Sequence, residues 1–192
     1  MRRAELAHVL RAAAAIADDN EILVIGSQAI LGSHSEEELP EEAWLSVEVD
    51  VAFMQESTTD PKWAAVDGAI GELSSFHETF SYYAQGTDLT TAKLPDGWQD
   101  RVVPFRPSAA DPARAVCIEK HDLVIAKLVA MRLKDLAFAT ALLHAGLVEL
   151  DVLHERAAAL TCVPPPVRRQ VQQWLVKAAR LSDGGRTRES RT

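Results

Sequence analysis

Cysteine is scarce in this chain of 192 residues, with only Cys117 and Cys162 present. Two thiols build no disulfide framework, and a cytoplasmic, reducing environment suits them. Neither has a CxxC partner, and the six histidines (8, 34, 77, 121, 144 and 154) show no metal-ligand spacing, so a zinc site is not expected. Positive charge is also in deficit: 20 Lys and Arg face 28 Asp and Glu, for a net charge of −8 and a pI of about 5.2. That argues against a protein that coats nucleic acid generally, which would be basic, but leaves room for a local basic cleft that grips RNA. No apolar run approaches the ~20 residues that a membrane-spanning helix needs. The P-loop GxxxxGK[ST], the dinucleotide fingerprint GxGxxG and the nucleophile elbow GxSxG are all missing. The N-terminal stretch is basic and then Ala-rich, like a secretory signal. Glu5, His8 and Arg11 interrupt it, and Leu6, Val9, Leu10 and Ala13 fall on one side of an amphipathic helix.

The segment from Glu21 to Phe53 carries the most information. Two apolar runs, ILVIG and VEVDVAF, read as strands around a short helical pattern and the acidic stretch SHSEEELPEE at 33–42, expected to be an exposed loop. Glu48 and Asp50 alternate in the second run, so both carboxylates point to one face of a strand. Two acids in an otherwise apolar strand repel each other and lose hydration, and a divalent cation would relieve both costs. An edge strand that simply exposes both acids is the plainer alternative. The first run stops at Gly26-Ser27, where a small turn opening a helix makes a natural phosphate seat.

Hydrophobic content of 47% supports one substantial core. Helix is expected at 2–18, strand at 21–25, helix from Gln28, strand at 46–53 and helix at 62–74. Looser alternation predicts strands at 76–83 and 87–92, a turn at 94–98 and a strand at 101–105. Asp111-Pro112 marks a loop. Helices follow at 119–131, 134–145 (with Gly146 beyond its end), 149–159 and 164–181. Strands early and helices late give an α+β, mixed α/β fold. The expected layout is a sheet-containing core at 1–115, a helical part at 116–182 and a polar, disordered tail at 183–192.

The segment IEKHDLVIAKLVAMRLKD at 118–135 has Lys120, Lys127 and Lys134 at intervals of seven. On one continuous helix they would form a stripe that drifts about 20° per heptad. A solvated cationic face is the plain reading, but Lys127 lies in the apolar run VIAKLVAM. A lysine there either snorkels or reaches into a cleft, where it would balance phosphate charge. Of the tryptophans at 44, 63, 98 and 174, Trp98 in the turn LPDGWQDR is the one that merits a test for substrate contact.

A strand, Gly-Ser, a helix, an ExD strand and a later KLxAxRxKD segment together resemble the nucleotidyltransferase superfamily. The chain is similar over residues 20–150 to its DUF6036-like and AbiEii/MenT-like branch of small bacterial proteins. The resemblance implies a mixed sheet flanked by helices and transfer of a nucleoside monophosphate from an NTP, with Mg²⁺ and release of pyrophosphate. It assigns Gly26 and Ser27 to the phosphate-binding turn and Glu48 and Asp50 to the metal-binding, catalytic pair. Lys127 and Asp135 match the later catalytic lysine and aspartate, and Arg132 joins Lys127 in nucleotide binding. Toxin members modify the acceptor end of tRNA beside a paired antitoxin; others nucleotidylate proteins or small molecules, and some are inactive binding modules. This chain departs from the pattern at Glu48, where many members have Asp, and at Met131, where a small residue is usual. A third carboxylate on a later strand is not evident, Asp100 being the available candidate.

Overall fold

The first helix, α1 (Arg3–Ala17), forms where Leu6, Val9, Leu10 and Ala13 make one stripe, and that stripe is fully buried. Glu5 accepts from the Arg2 backbone N–H at 2.7 Å, and Asp18 ends the helix at φ 48°. The structure is a computed structural model that describes residues 1–57, 59–106 and 114–189.

Five short strands form one mixed sheet: β1 (Ile22–Val24), β2 (Glu48–Phe53), β3 (Tyr83–Gly86), β4 (Val103–Pro104) and β5 (Val116–Cys117). Their order across the sheet is β3-β2-β1-β5-β4. β1 runs antiparallel to β2 and parallel to β5, while β2 runs parallel to β3 and β4 antiparallel to β5. The acid-bearing strand β2 therefore lies inside the sheet, which removes the edge-strand reading of its two acids. Val24 pairs with Val51, and the Ile25 N–H donates to the Asp50 carbonyl at 3.1 Å. The ladder thus brings Gly26 alongside Asp50.

Between β1 and β2 the chain makes a 3-10 helix, Ser27–Gly32, whose Ala29, Ile30 and Leu31 are buried. The acidic stretch is more ordered than a plain loop. Ser35 and Glu38 cap a 3-10 turn at Glu36–Glu38, α2 (Glu41–Trp44) follows, and buried Leu39 and Ala43 anchor both while Glu37, Glu38, Glu41 and Glu42 stay exposed.

After β2, α3 (Lys62–Ile70) packs on β3 through Val66 and Ile70. Leu73, expected on this helix, lies beyond its end at φ 62° and is 83% exposed. The strand expected at 76–83 is instead α4 (Ser75–Phe80) followed by β3. The Ser74 hydroxyl accepts from the His77 N–H at 3.2 Å as an N-cap, and Phe76 and Phe80, one helical turn apart, pack on each other and on His8. The strand expected at 87–92 is a 3-10 turn at Leu89–Thr91, because Asp88 caps it by accepting from the Thr90 N–H at 2.7 Å. Only Val103–Pro104 of the expected strand at 101–105 pairs in the sheet.

The C-terminal helices are α5 (Lys120–Ala130), α6 (Leu133–His144), α7 (Leu150–Ala158) and α8 (Pro165–Glu189). α5 touches each of the other three, and Leu123, Val124, Ile125 and Leu128 join the same hydrophobic cluster as the sheet. Gly146 takes φ 67° just beyond α6, as a helix-ending glycine does. The backbone of α8 continues past the expected end at 181 to Glu189. The Asp111-Pro112 loop and residues 190–192 of the expected tail lie outside the described residues.

Candidate active site

Glu48 and Asp50 project from one face of β2, while Val49 and Val51 are buried on the other. The β3 neighbours in register are Tyr83 beside Glu48 and Gln85 beside Asp50. The Tyr83 hydroxyl donates to Glu48 Oε2 at 3.2 Å. Burial and then the Glu48 charge push the Tyr83 phenol up to about 12, so it remains a donor. Gln85 carries an amide where a carboxylate on a later strand would complete the set, and it donates to Asp67 Oδ1 at 2.9 Å.

Asp50 is the most perturbed acid of the pair. Burial and then the Glu48 carboxylate raise it to about 6, and the charges of Lys127 and Lys134 oppose this without cancelling it. Space for its carboxylate depends on Gly26, because a Cβ there would lie 1.6 Å from Asp50 Oδ2. Glycine is required here for close approach, since its backbone (φ −91°, ψ −166°) is open to any residue.

The cations come from α5 and the start of α6. Lys127 is 9% exposed and extends from an otherwise apolar stretch of α5. Met131 takes a left-handed conformation at φ 55° and ends α5, and Arg132 is extended as the residue before α6. This reversal folds Asp135, in the first turn of α6, back onto both cations. Lys127 Nζ lies 3.2 Å from Asp135 Oδ1, and Arg132 donates through Nε at 2.6 Å and Nη2 at 3.2 Å. The Lys127 ammonium also stands 5.6 Å from the Phe138 ring centre. Burial alone would raise the Asp135 pKa, but Arg132 and Lys127 outweigh it and hold the carboxyl below its ordinary value. The same reversal breaks the expected lysine stripe. Lys120 points to Glu149 at 3.8 Å, and Lys134 belongs to α6.

These elements enclose a cleft of about 180 Å³. Gly26 and Asp50 line one side, Lys127 and Arg132 a second, and Thr87, Thr91 and Lys93 a third. Of the residues expected at a site, Gly26, Asp50, Lys127 and Arg132 converge on this space. Ser27, Glu48 and Asp135 do not line it: Ser27 is half-buried in the 3-10 turn, Glu48 stands beside Asp50, and Asp135 is buried against the two cations. Asp100 is exposed on the turn Trp98–Arg101 and is not part of the lining. Trp98 lines a neighbouring depression of about 300 Å³ that adjoins the cleft at Ala92 and Lys93.

A family described as nucleotidyltransferase of unknown function (DUF6036) matches residues 4–177. The chain belongs to this family. No curated protein and no solved structure matches it. The DUF6036 match covers every element that builds the cleft, so the acid strand, the Gly26 turn and the α5–α6 reversal all belong to the matched region. Among the described residues no group of three or more His, Cys, Asp or Glu is placed to hold a metal ion. The donors still suit Mg²⁺, which commonly takes one or two carboxylates and completes its shell with water and substrate phosphate. Burial is the larger cause of the raised proton affinity of Asp50 and the Glu48 charge adds to it, and a bound cation would offset both. Among the described residues no helix is long and apolar enough to cross a membrane.

The third side of the cleft was not expected at the site. Thr87 and Thr91 lie in the stretch 87–92 expected as a strand, Lys93 lies just beyond it, and the parallel pairing of β3 with β2 carries them to the cleft with Asp50.

Proposed function

We propose that this DUF6036 protein is a Mg²⁺-dependent NTP:acceptor nucleotidyltransferase. The observation that carries the reading is the convergence of Asp50, Gly26, Lys127 and Arg132 on one cleft from three separate elements. In the transfer, the acceptor hydroxyl oxygen bonds to the α-phosphorus and releases its proton to solvent, while the bond from the α-phosphorus to the bridging oxygen breaks and pyrophosphate leaves with that electron pair. Phosphoryl chemistry of this kind depends mainly on positioning and charge stabilisation. Asp50 and Glu48 would hold the Mg²⁺, which would supply positive charge to the reacting phosphates. Gly26 leaves space for Asp50 and, with Ser27, presents backbone to the phosphates. Lys127 faces the phosphates from α5, Arg132 stands at the rim, and Asp135 orients both cations.

The acceptor that fits the AbiEii/MenT-like branch is a tRNA 3′ end, which would make the protein the toxin of a toxin–antitoxin pair in the cytoplasm. Local positive charge for RNA is available despite the net charge of −8. Arg132 and Lys134 flank the cleft, and Arg168, Arg169 and Arg180 lie along α8. The test is transfer of label from NTP to total tRNA in Mg²⁺, with Asp50→Ala as control and a salt titration of tRNA binding. Labelled tRNA with steep salt dependence is expected. Absence of label on both tRNA and protein, with Asp50→Ala silent in cells, would overturn the reading. One observation favours a second reading, an inactive nucleotide- or protein-binding member: Gln85 stands where a third carboxylate would complete the acid set. Mg²⁺-dependent NTP binding without any transfer would identify it.

A further inference from the structure

Resting on the nucleotidyltransferase reading, we infer that Lys93 is the polyphosphate-gripping residue of the cleft and that the Thr87–Lys93 turn is its phosphate-facing wall. The argument starts from charge. Lys127 and Arg132 bring two cations to the cleft, and Asp135 is ion-paired to both. The remaining single positive charge faces Glu48 and Asp50, whose two negative charges a Mg²⁺ ion would only balance, so these five groups leave little attraction for the outer phosphates of a polyphosphate. Lys93 alters that balance. It lines the same space from the turn after β3, and among the described residues no carboxylate lies within ion-pairing distance of its ammonium. Asp88 senses its charge but accepts from the Thr90 N–H and, at 2.5 Å, from the Thr90 hydroxyl.

The turn is also rigidly built. The Thr87 N–H donates to the Val51 carbonyl at 2.9 Å, which anchors the turn to β2 one residue beyond Asp50. The Thr87 hydroxyl donates to that of Thr91 at 3.1 Å, and Lys93 Nζ donates to the Thr90 carbonyl at 2.6 Å. An ammonium has three donors; a single carbonyl leaves two for an oxyanion. Anchoring on the acid strand keeps the turn in the same cleft as Asp50, where the outer phosphates of a Mg²⁺-bound triphosphate would lie. The cleft, at about 180 Å³, is smaller than the roughly 300–1,000 Å³ of sites that enclose a whole drug-sized ligand. It suits the phosphate end of a nucleotide, with the base outside it.

The test is calorimetric binding, in Mg²⁺ at low salt, of inorganic tripolyphosphate, a non-hydrolysable NTP and the matching nucleoside. Lys93→Ala should weaken tripolyphosphate and NTP by about tenfold and leave the nucleoside unchanged. Lys93→Arg should restore most of the loss. Lys177→Ala, which removes an equal charge on the exposed face of α8, should leave all three unchanged. The thermal midpoint of Lys93→Ala should match wild type, because the side chain is exposed and donates only to Thr90. Equal loss in Lys177→Ala, equal loss for the nucleoside, or wild-type protein that binds no tripolyphosphate would overturn the inference. Nucleotide transfer with Lys93-independent binding would overturn it and leave the function standing. Lys93-dependent tripolyphosphate binding without transfer would uphold it and sink the function.

Discussion

On β2, two carboxylates share one face, and burial together with the Glu48 charge raises the hold of Asp50 on its proton; on α5 and α6, one carboxylate sits between two cations that lower its own. The two sides differ in burial, Asp135 being buried and Glu48 and Asp50 half-buried, and they are opposite in electrostatic satisfaction. Lys127, Arg132 and Asp135 complete one another, so their geometry exists without any ligand. Among the described residues Glu48 and Asp50 form no ion pair, and a bound cation would relieve the cost that Lys127 and Lys134 leave uncancelled at Asp50. A third cluster sharpens the contrast. Buried Asp122 receives Arg101 at 2.8 and 3.0 Å and has Arg156 Nε at 3.3 Å, an ion pair without hydrogen-bond geometry. Like Asp135 it is a buried carboxylate between two cations, but burial outweighs them and leaves its pKa raised, and it ties α5 to α7 and to the turn Trp98–Arg101. A buried ion cluster by itself therefore marks packing. On the proposed function, what sets the Asp135 cluster apart is the acid pair on β2.

The largest expected effect tests the satisfied side. Asp135→Ala leaves buried Lys127 without its anion and should cost about 3 kcal/mol in urea denaturation. Adding Lys127→Met should recover much of that loss, and a double variant no more stable than Asp135→Ala would show that Lys127 is not the source.

Asp50→Asn tests the strained side, and its sign is opposite. The folded pKa of about 6 lies above the ordinary value of 3.8. Stability linked to this group is therefore full below pH 3.8 and lost as pH rises through 6. Without divalent metal, Asp50→Asn should be more stable than wild type at pH 7.5 by on the order of 2 kcal/mol, and no more stable at pH 3.5. For the same reason Mg²⁺ binding to wild type, followed by calorimetry, should weaken as pH falls below 6. A flat pH profile for both quantities would remove the contrast between the sides.

Gly26→Ala displaces the Asp50 carboxylate while keeping an allowed backbone. Loss of labelled-NTP transfer by about tenfold or more is expected from misplacing one reacting group, with far-ultraviolet circular dichroism unchanged. The smallest effect is at Met131. Its left-handed backbone at φ 55° costs roughly 1 kcal/mol, so Met131→Gly should raise the urea midpoint slightly and leave NTP binding unaltered. A lower midpoint would mean that the half-buried side chain contributes more than the backbone loses.

Much of the acid side was legible in the sequence. Glu48 and Asp50 share a face because strand side chains alternate, and the Gly26-Ser27 break follows from an apolar run that ends in small residues. Lys127 stood out because a charge interrupts an apolar helix. The segment 76–92 was misread because Phe76–Tyr83 alternates loosely like a strand. Its better signals were the Ser74 cap and the i, i+4 pair Phe76 and Phe80, both local. Lys93 had no such signal, since a lysine after a polar turn looks the same whether it faces solvent or a cleft.

Local pattern determined the α1 stripe, the acid face of β2, the apolar face of α5 and the mixed class, because those depend on periods of 3.6 and 2 along the chain. Tertiary structure decided that β2 lies inside the sheet and that Asp135 turns back on Lys127 and Arg132. It also decided that the turn after β3 faces Asp50. Each of these depends on strand order or on a chain reversal that joins residues far apart in sequence, and no local period encodes them.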